Sequence, residues 1–372
     1  MIIMDIRIDN FFAFRDFHMN MSYPKKIVNS YIEAEHLDQR PNFRYKKVNI
    51  LMGANATGKT SFGRMLMLIF NFMDKKRYDR LTSVISNSKE YASFSMDFIT
   101  DSNILYRIDT KIEPKSKDEY RDSDINVCVK QVEIKEKDSY ESCIQRFDAM
   151  PNSQEKNYIE ELGKINGLSW LFNYPFESKT GYNIESHKDD ENYLDILELT
   201  LKALDPSIKK VDKIDTVDDS YIIRMDNKSI IIQEGKTIDT DILSSGTKEG
   251  IQLADILTSI INGNNRFYYC DENFSYIHSD LEKAFLAIMI QSLRTNDQLF
   301  FTTHNTDILD MPLPKHSFIF LKKELSDAEK PIKCISASKY LKRNTDSLRN
   351  AVDNDLFSVA PNVDMVYKIM EL

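Results

Sequence analysis

The chain has 372 residues, which at roughly 100–200 residues per domain allows two or three structural units with cores full enough to need no disulfide or metal staple. Hydrophobic residues make up 42% and charged residues 29%, with only 10 glycines and 10 prolines, which excludes collagen-like, mucin-like and linker-dominated chains. Asp plus Glu outnumber Lys plus Arg by 58 to 49, a net charge of −9, so any grip on nucleic acid would have to come from a local basic patch.

The short basic clusters, Lys25-Lys26, Lys75-Lys76-Arg77, Lys209-Lys210 and Lys322-Lys323, read as solvated surface. The cysteines, Cys128, Cys143, Cys270 and Cys334, form no CxxC pair and have no His at metal-ligand spacing, so free thiols in a reducing compartment are expected. The opening MIIMDIRIDNFF carries Asp5 and Arg7 inside its apolar stretch and does not read as a signal peptide. No apolar run reaches ~18 residues, so no membrane span is expected and cytoplasmic placement follows.

In chain order, Ile2, Ile3, Met4, Ile6 and Ile8 mark a first strand. Lys47–Met52 is an apolar run ending on Gly53, a buried strand feeding a glycine turn. A helix is expected from Thr60 to about Lys76, with Phe62, Met65, Leu66, Ile69, Phe70 and Met73 on one side. From about Lys111 the chain turns polar, with strand-like pieces at Ile125–Val129 and Val132–Ile134 and helical stretches near Gln154–Leu171 and Asp190–Leu204. Tyr221–Met225 and Ser229–Gln233 flank Asp226-Asn227-Lys228 and read as a hairpin. Then come a helix over Thr247–Ile261, a strand over Arg266–Asp271, a helix over Ser279–Arg294, and strands over Gln298–His304 and Ser317–Lys322. Strands alternating with helices imply a mostly parallel sheet covered on both faces. The predicted organisation is an N-terminal half of that sheet (1–110), an inserted α+β lobe (111–240), a C-terminal half (241–330) and a tail (331–372).

Gly53-Ala-Asn-Ala-Thr-Gly58-Lys59-Thr60 matches GxxxxGK[ST] at every fixed position, between an apolar strand and an amphipathic helix. In such a loop backbone N–H groups cradle phosphate, the lysine reaches the β and γ phosphates, and the hydroxyl faces Mg²⁺. Gly53, Asn55, Ala56, Thr57, Gly58, Lys59, Thr60 and Ser61 are therefore the expected ATP-binding residues. Phe267-Tyr-Tyr-Cys270-Asp271-Glu272 is an apolar strand delivering two carboxylates: Asp271, with Thr60, for Mg²⁺, and Glu272 to polarise a water as general base. Ser244, Ser245 and Gly246 precede a helix, a plain N-cap that can also serve as an anion site for another protomer's nucleotide. His304 ends an apolar strand where it could meet the γ-phosphate or the attacking water. His278 is a weaker candidate, and His18, His36, His187 and His316 read as structural.

These pieces in this order resemble ABC-type ATPase heads, within them the SMC/RecF/OLD-related group of AAA-family ATPases. The N-terminal Asn10–Phe17 (NFFAFRDF), Asn55 in the loop, Asp271-Glu272-Asn-Phe-Ser-Tyr-Ile-His278 and Phe301-Thr-Thr-His304-Asn305 carry the likeness. In the tail, Asp346-Ser-Leu-Arg349 and Phe357-Ser-Val-Ala-Pro361 are similar to stand-alone ATPases of bacterial abortive-infection and anti-phage operons, the AbiL, RloA and AriA kind. The signature departs from that of transporters at Ser245 and Thr247, no Q-loop glutamine stands out, and long heptad arms are absent.

The resemblance implies a P-loop α/β fold with ATP and Mg²⁺ as cofactors. It implies a homodimer or higher homo-oligomer with ATP sandwiched between heads, Ser244–Gly246 acting in trans and Glu272 and His304 catalytic. It further implies a sensor subunit controlling a separately encoded effector, a nuclease or toxin, the TOPRIM type included, since the chain shows no nuclease centre of its own. A RecF-like DNA-repair ATPase and a non-hydrolysing nucleotide-gated scaffold stay open as alternatives, as does direct nucleic-acid binding.

Overall fold

The computed structural model describes residues 1–27, 30–100, 103–115, 119–151, 157–174, 190, 192–214, 216–217, 220–226, 228–233, 236–237, 244–272, 274–324, 327, 329–343, 346–358 and 364–371. The first elements are strands β1 (Ile2–Asp9), β2 (Phe17–Asn20), β3 (His36–Leu37), β4 (Arg40–Arg44) and β5 (Val48–Met52), then helices α1 (Lys59–Lys75) and α2 (Asp79–Thr82). Strands β6 (Ala92–Ile99), β7 (Ile104–Ile112) and β8 (Ile125–Glu133) precede helices α3 (Tyr140–Asp148) and α4 (Tyr158–Leu162). Strand β9 (Trp170–Asn173) and helix α5 (Tyr193–Leu204) lead to strands β10 (Ile208–Lys213), β11 (Ser220–Met225), β12 (Ser229–Gln233) and β13 (Lys236–Thr237). Helix α6 (Ser245–Asn262), strand β14 (Phe267–Asp271), helix α7 (Ser279–Ser292) and strands β15 (Gln298–Thr302), β16 (Phe318–Lys323) and β17 (Ile332–Ser336) follow, with helices α8 (Ala337–Tyr340) and α9 (Leu348–Asp353) after them. Two compact units result, residues Met1–Ser169 with Thr295–Leu372, and residues Trp170–Arg294.

The first unit carries an antiparallel sheet in the order β2–β1–β6–β7–β8. It also carries a run in which β5 pairs in parallel with both β15 and β16, and β17 closes antiparallel on β16. All five residues of β5 (VNILM) and of β15 (QLFFT) are buried, as strands covered on both faces must be. Helix α1 buries the apolar side read from its sequence, and its Phe62 ring lies 5.6 Å from Phe17 and 6.1 Å from Phe300, so the helix fills the space between the two sheets. The buried Gln298 stitches them, accepting from the Ile3 N–H at 2.8 Å and donating to the Ile3 and Lys46 carbonyls at 3.1 Å. Such a fully bonded amide costs nothing in unsatisfied polarity and fixes the register of the pair.

The second unit packs α5 and α6 against the antiparallel sheet β10–β11–β12–β13, with Leu197, Leu201, Ile223, Ile230, Ile232 and Ala254 at its centre. Its β14 pairs in parallel with β9.

Two expectations change. The helix expected over Gln154–Leu171 is confined, among the described residues, to Tyr158–Leu162: Gly167 adopts φ 74°, and the apolar Trp170–Asn173 extends as β9 beside β14. The two strand pieces at 125–134 are one strand, β8, paired along its length with β7 of the first unit. The strands read as alternating with helices do pair in parallel, β5 with β15 and β16 and β14 with β9, while β2–β1–β6–β7–β8 and β10–β11–β12–β13 are antiparallel sheets. Among the described residues no helix is long and apolar enough to cross a membrane.

Candidate functional site

The phosphate loop lies in the first unit, between the end of β5 and α1. Gly53 has φ 153°, and a Cβ there would come within 2.4 Å of the Leu321 carbonyl oxygen on β16, so no side chain fits. Ala56 takes φ 62°, and Thr57 Oγ1 donates to the Ala54 carbonyl at 2.9 Å, closing the loop on itself. Asn55 and Ala56 are exposed at its crest, while Thr60 and Ser61 are half-buried in the first turn of α1. That helix has Gly58 as its N-cap with no side-chain cap and no acidic residue in its first turn, which leaves its positive end to an outside anion.

Lys59 is buried, and its ammonium donates to the Gly53 carbonyl at 3.0 Å. The same Nζ lies 3.1 Å from Nε2 of His304. An ammonium has only donors, so Nε2 accepts and the ring proton sits on Nδ1. His304 is exposed, just past the buried end of β15. Around it, Thr303 Oγ1 accepts from the Asn305 N–H at 2.9 Å and Asn305 Oδ1 accepts from the Asp307 N–H at 2.9 Å. Two motifs far apart in sequence thus meet because β5 and β15 are neighbours in parallel register, Thr302 opposite Leu51.

In the second unit β14 ends on Asp271, which is 1% exposed. Glu272 follows with φ 47°, a left-handed conformation costly for a residue with a Cβ. Its carbonyl accepts from Ser275 Oγ at 2.9 Å, turning the chain sharply after the two carboxylates. Cys270, fully enclosed, has its thiol pushed well up by burial and then by Asp271, Glu282 and Glu249, so it is an inert neighbour. Ser244 caps α6, accepting from the Thr247 N–H at 3.1 Å, and Ser244 and Ser245 are exposed while Gly246 is half-buried.

The other histidines hold structure. His278 caps α7 by accepting from the Asp280 N–H at 3.2 Å, His18 pairs with Asp5 at 2.7 Å, His36 bonds the Leu37 carbonyl, and buried His316 pairs with Glu35. His187 lies outside the described residues. Sequence reasoning missed the walls of the phosphate loop: the Leu321 carbonyl, and Ile332 and Phe14, which lie 2.9 and 3.4 Å from where a Gly58 Cβ would be. It also missed the task of Asn10, whose buried amide donates to the Asn87 and Tyr91 carbonyls at 2.8 and 2.9 Å and so pins the 87–91 turn. Only the NFFAF pattern pointed to Asn10 and Phe14; for Leu321 and Ile332 no local signal exists.

No family model matches the chain, and no curated protein matches it in sequence. Among solved structures it is similar to an SMC head bound to the C-terminal winged-helix domain of ScpA, at 13% identity and TM-score 0.54 over 92% of this chain and 100% of that one. It is also similar to an SMC head with an extended coiled coil bound to the C-terminal domain of ScpA derived from Pyrococcus furiosus, at 12% identity and TM-score 0.52 over 91% and 98%. At such identities the likeness shows the fold alone, a mixed α/β fold like that of the SMC heads.

Proposed function

We propose that the protein binds and hydrolyses ATP as an ABC-type ATPase. The observation that carries this reading is the seat of Lys59: its ammonium rests on the Gly53 carbonyl and against His304, the histidine that the sequence pattern assigns to the γ-phosphate. Gly53, Asn55, Ala56, Thr57, Gly58, Lys59, Thr60 and Ser61 hold the triphosphate in this reading. The loop fits that group, since the Gly53 approach leaves no room for a side chain and the α1 terminus carries no acid of its own. Thr60 and Asp271 would hold Mg²⁺, a hard cation matched to their oxygens, which when bound supplies neutralisation of phosphate charge.

On nucleotide arrival Lys59 exchanges the Gly53 carbonyl for phosphate oxygens. His304 bonds the γ-phosphate or the attacking water, and Glu272 takes that water's proton as the new P–O bond forms and the bond to the β-phosphate oxygen breaks. The strained backbone of Glu272 supports its role, because left-handed conformations at side-chain-bearing residues cluster at functional sites. Ser244, Ser245 and Gly246, at the exposed start of α6, reach the nucleotide of a second copy, so ATP joins two heads and hydrolysis loosens them.

The same proposal makes the chain a sensor subunit of an anti-phage system that controls a separately encoded nuclease or toxin, a reading supported by the tail pattern 346–361. E272Q tests both parts. It should bind ATP, lose turnover by about 10²–10⁴, and persist as an ATP-held dimer by light scattering, with an effector retained on the trapped form and shed by the hydrolysing wild type. Turnover unchanged in E272Q removes Glu272 from the base role, and a trapped dimer that holds no nuclease or toxin in its own cells ends the sensor reading.

A further inference from the structure

The tail motif Asp346–Arg349 finds a structural task in the first unit. Arg349, on α9, reaches the turn that directly follows His304, a 3₁₀ segment over Thr306–Asp310. Its guanidinium donates to Asp307 Oδ1 at 2.9 Å, to Asp310 Oδ2 at 2.6 Å and to Thr306 Oγ1 at 3.0 Å. Those bonds raise its already high pKa, those to Asp310 first and Asp307 next, so the fork stays charged at any working pH. The anchor is itself anchored. Ser347 caps α9 by accepting from the Asn350 N–H at 3.1 Å, Asp346 accepts from the Arg343 N–H at 2.8 Å, and the Lys315 ammonium, on the far side of the turn, bonds the Arg343 carbonyl. A second hold lies just beyond: Phe357, 1% exposed, stacks on Phe320 of β16 at 4.2 Å and 10°, next to the Leu321 carbonyl that bounds Gly53. One short segment therefore grips both the strand beside the phosphate loop and the turn beside His304.

His304 is exposed, with its ring against the Lys59 ammonium. Its backbone is set by the chain Thr303–Asn305–Asp307, and Asp307 is one of the two carboxylates Arg349 holds. We propose that Arg349 is a positioning residue for His304: by pinning Asp307 and Asp310 it keeps the 303–307 turn in the one shape that presents the imidazole to Lys59 and, in the reading above on which this rests, to the γ-phosphate. A single surface ion pair would do little, but a guanidinium shared by two carboxylates and a hydroxyl constrains the turn in more than one direction. By linkage, whatever moves His304 on nucleotide binding also loads α9 through the same fork.

The test reads the histidine itself as well as turnover. The chain has six histidines, so the imidazole ¹H–¹³C spectrum is sparse and the His304 signal is the one lost in H304A. In nucleotide-free R349A that signal should shift or broaden while the other five stay. ATP turnover should fall about ten-fold or more, since small misplacements of a reacting group are costly, with KM within about two-fold. In the H304A background R349A should cost nothing further. R349K keeps the charge but not the fork and should fall between; should R349A fail to fold, R349K is judged by the same two readouts. An unmoved His304 signal, or an R349A loss that multiplies that of H304A, overturns the proposal. H304A turning over ATP like wild type overturns instead the γ-phosphate reading of His304, which the spectrum tests independently.

Discussion

Glu272 is the sharpest place to test whether the site stores strain. Its φ of 47° costs a residue with a Cβ about 1–2 kcal/mol, and the turn closed by Ser275 on its carbonyl maintains it. Glycine removes that cost but gives the unfolded chain back about 0.5–1 kcal/mol of entropy. E272G should therefore gain a net of about 0.5–1 kcal/mol over E272Q, which loses the charge but keeps the strain. At about 2–4 °C per kcal/mol for a domain of this size class, the glycine variant should melt about 1–4 °C above the glutamine variant without nucleotide. Both should lack turnover. The pair separates backbone from charge, since neither has the carboxylate. Equal melting, or E272G melting lower, would falsify the view that the left-handed turn is held against its own preference for the sake of the carboxylate's position.

Lys46 should make stability depend on pH. Burial, tempered by Cys334 and reinforced by Lys339, lowers its pKa from 10.5 to about 8. Between those values the unfolded chain holds a proton the folded one has lost, so the penalty is full below about pH 8 and relieved as pH climbs toward 10.5. At about 1.4 kcal/mol for each pH step, K46M should lose about 3 kcal/mol of its advantage over wild type between pH 7 and 10.5, measured by urea unfolding; a difference that does not vary with pH contradicts this. Arg107 forks onto the buried Asp97 with both bonds at 2.7 Å, and Tyr140 adds a third at 2.6 Å. R107M leaves that carboxylate without its cation and should cost about 3–5 kcal/mol in denaturant unfolding, whereas D97N/R107M should recover a large part; a loss below about 1 kcal/mol would show that the pair is already solvated.

What could be read from residues alone was whatever is decided within a short window. Gly53–Thr60 stands out because its glycines and lysine fall at the offsets of a phosphate-binding pattern, and β5, β14, β15 and β16 because strands covered on both faces are largely apolar runs. Helix α1 was legible from its apolar period. The stretch 154–171 misled because Trp170–Asn173 takes its conformation from β9 pairing with β14, almost a hundred residues on in sequence, and not from its neighbours. Lys59 meets His304 only because β15 pairs with β5. Leu321 and Ile332 wall the phosphate loop, and Arg349 finds Asp307 and Asp310, through pairings that no local pattern encodes. Local pattern alone named the candidates for the site. The tertiary structure decided which of them meet, because strand order follows from burying many apolar faces at once and is carried by no single segment.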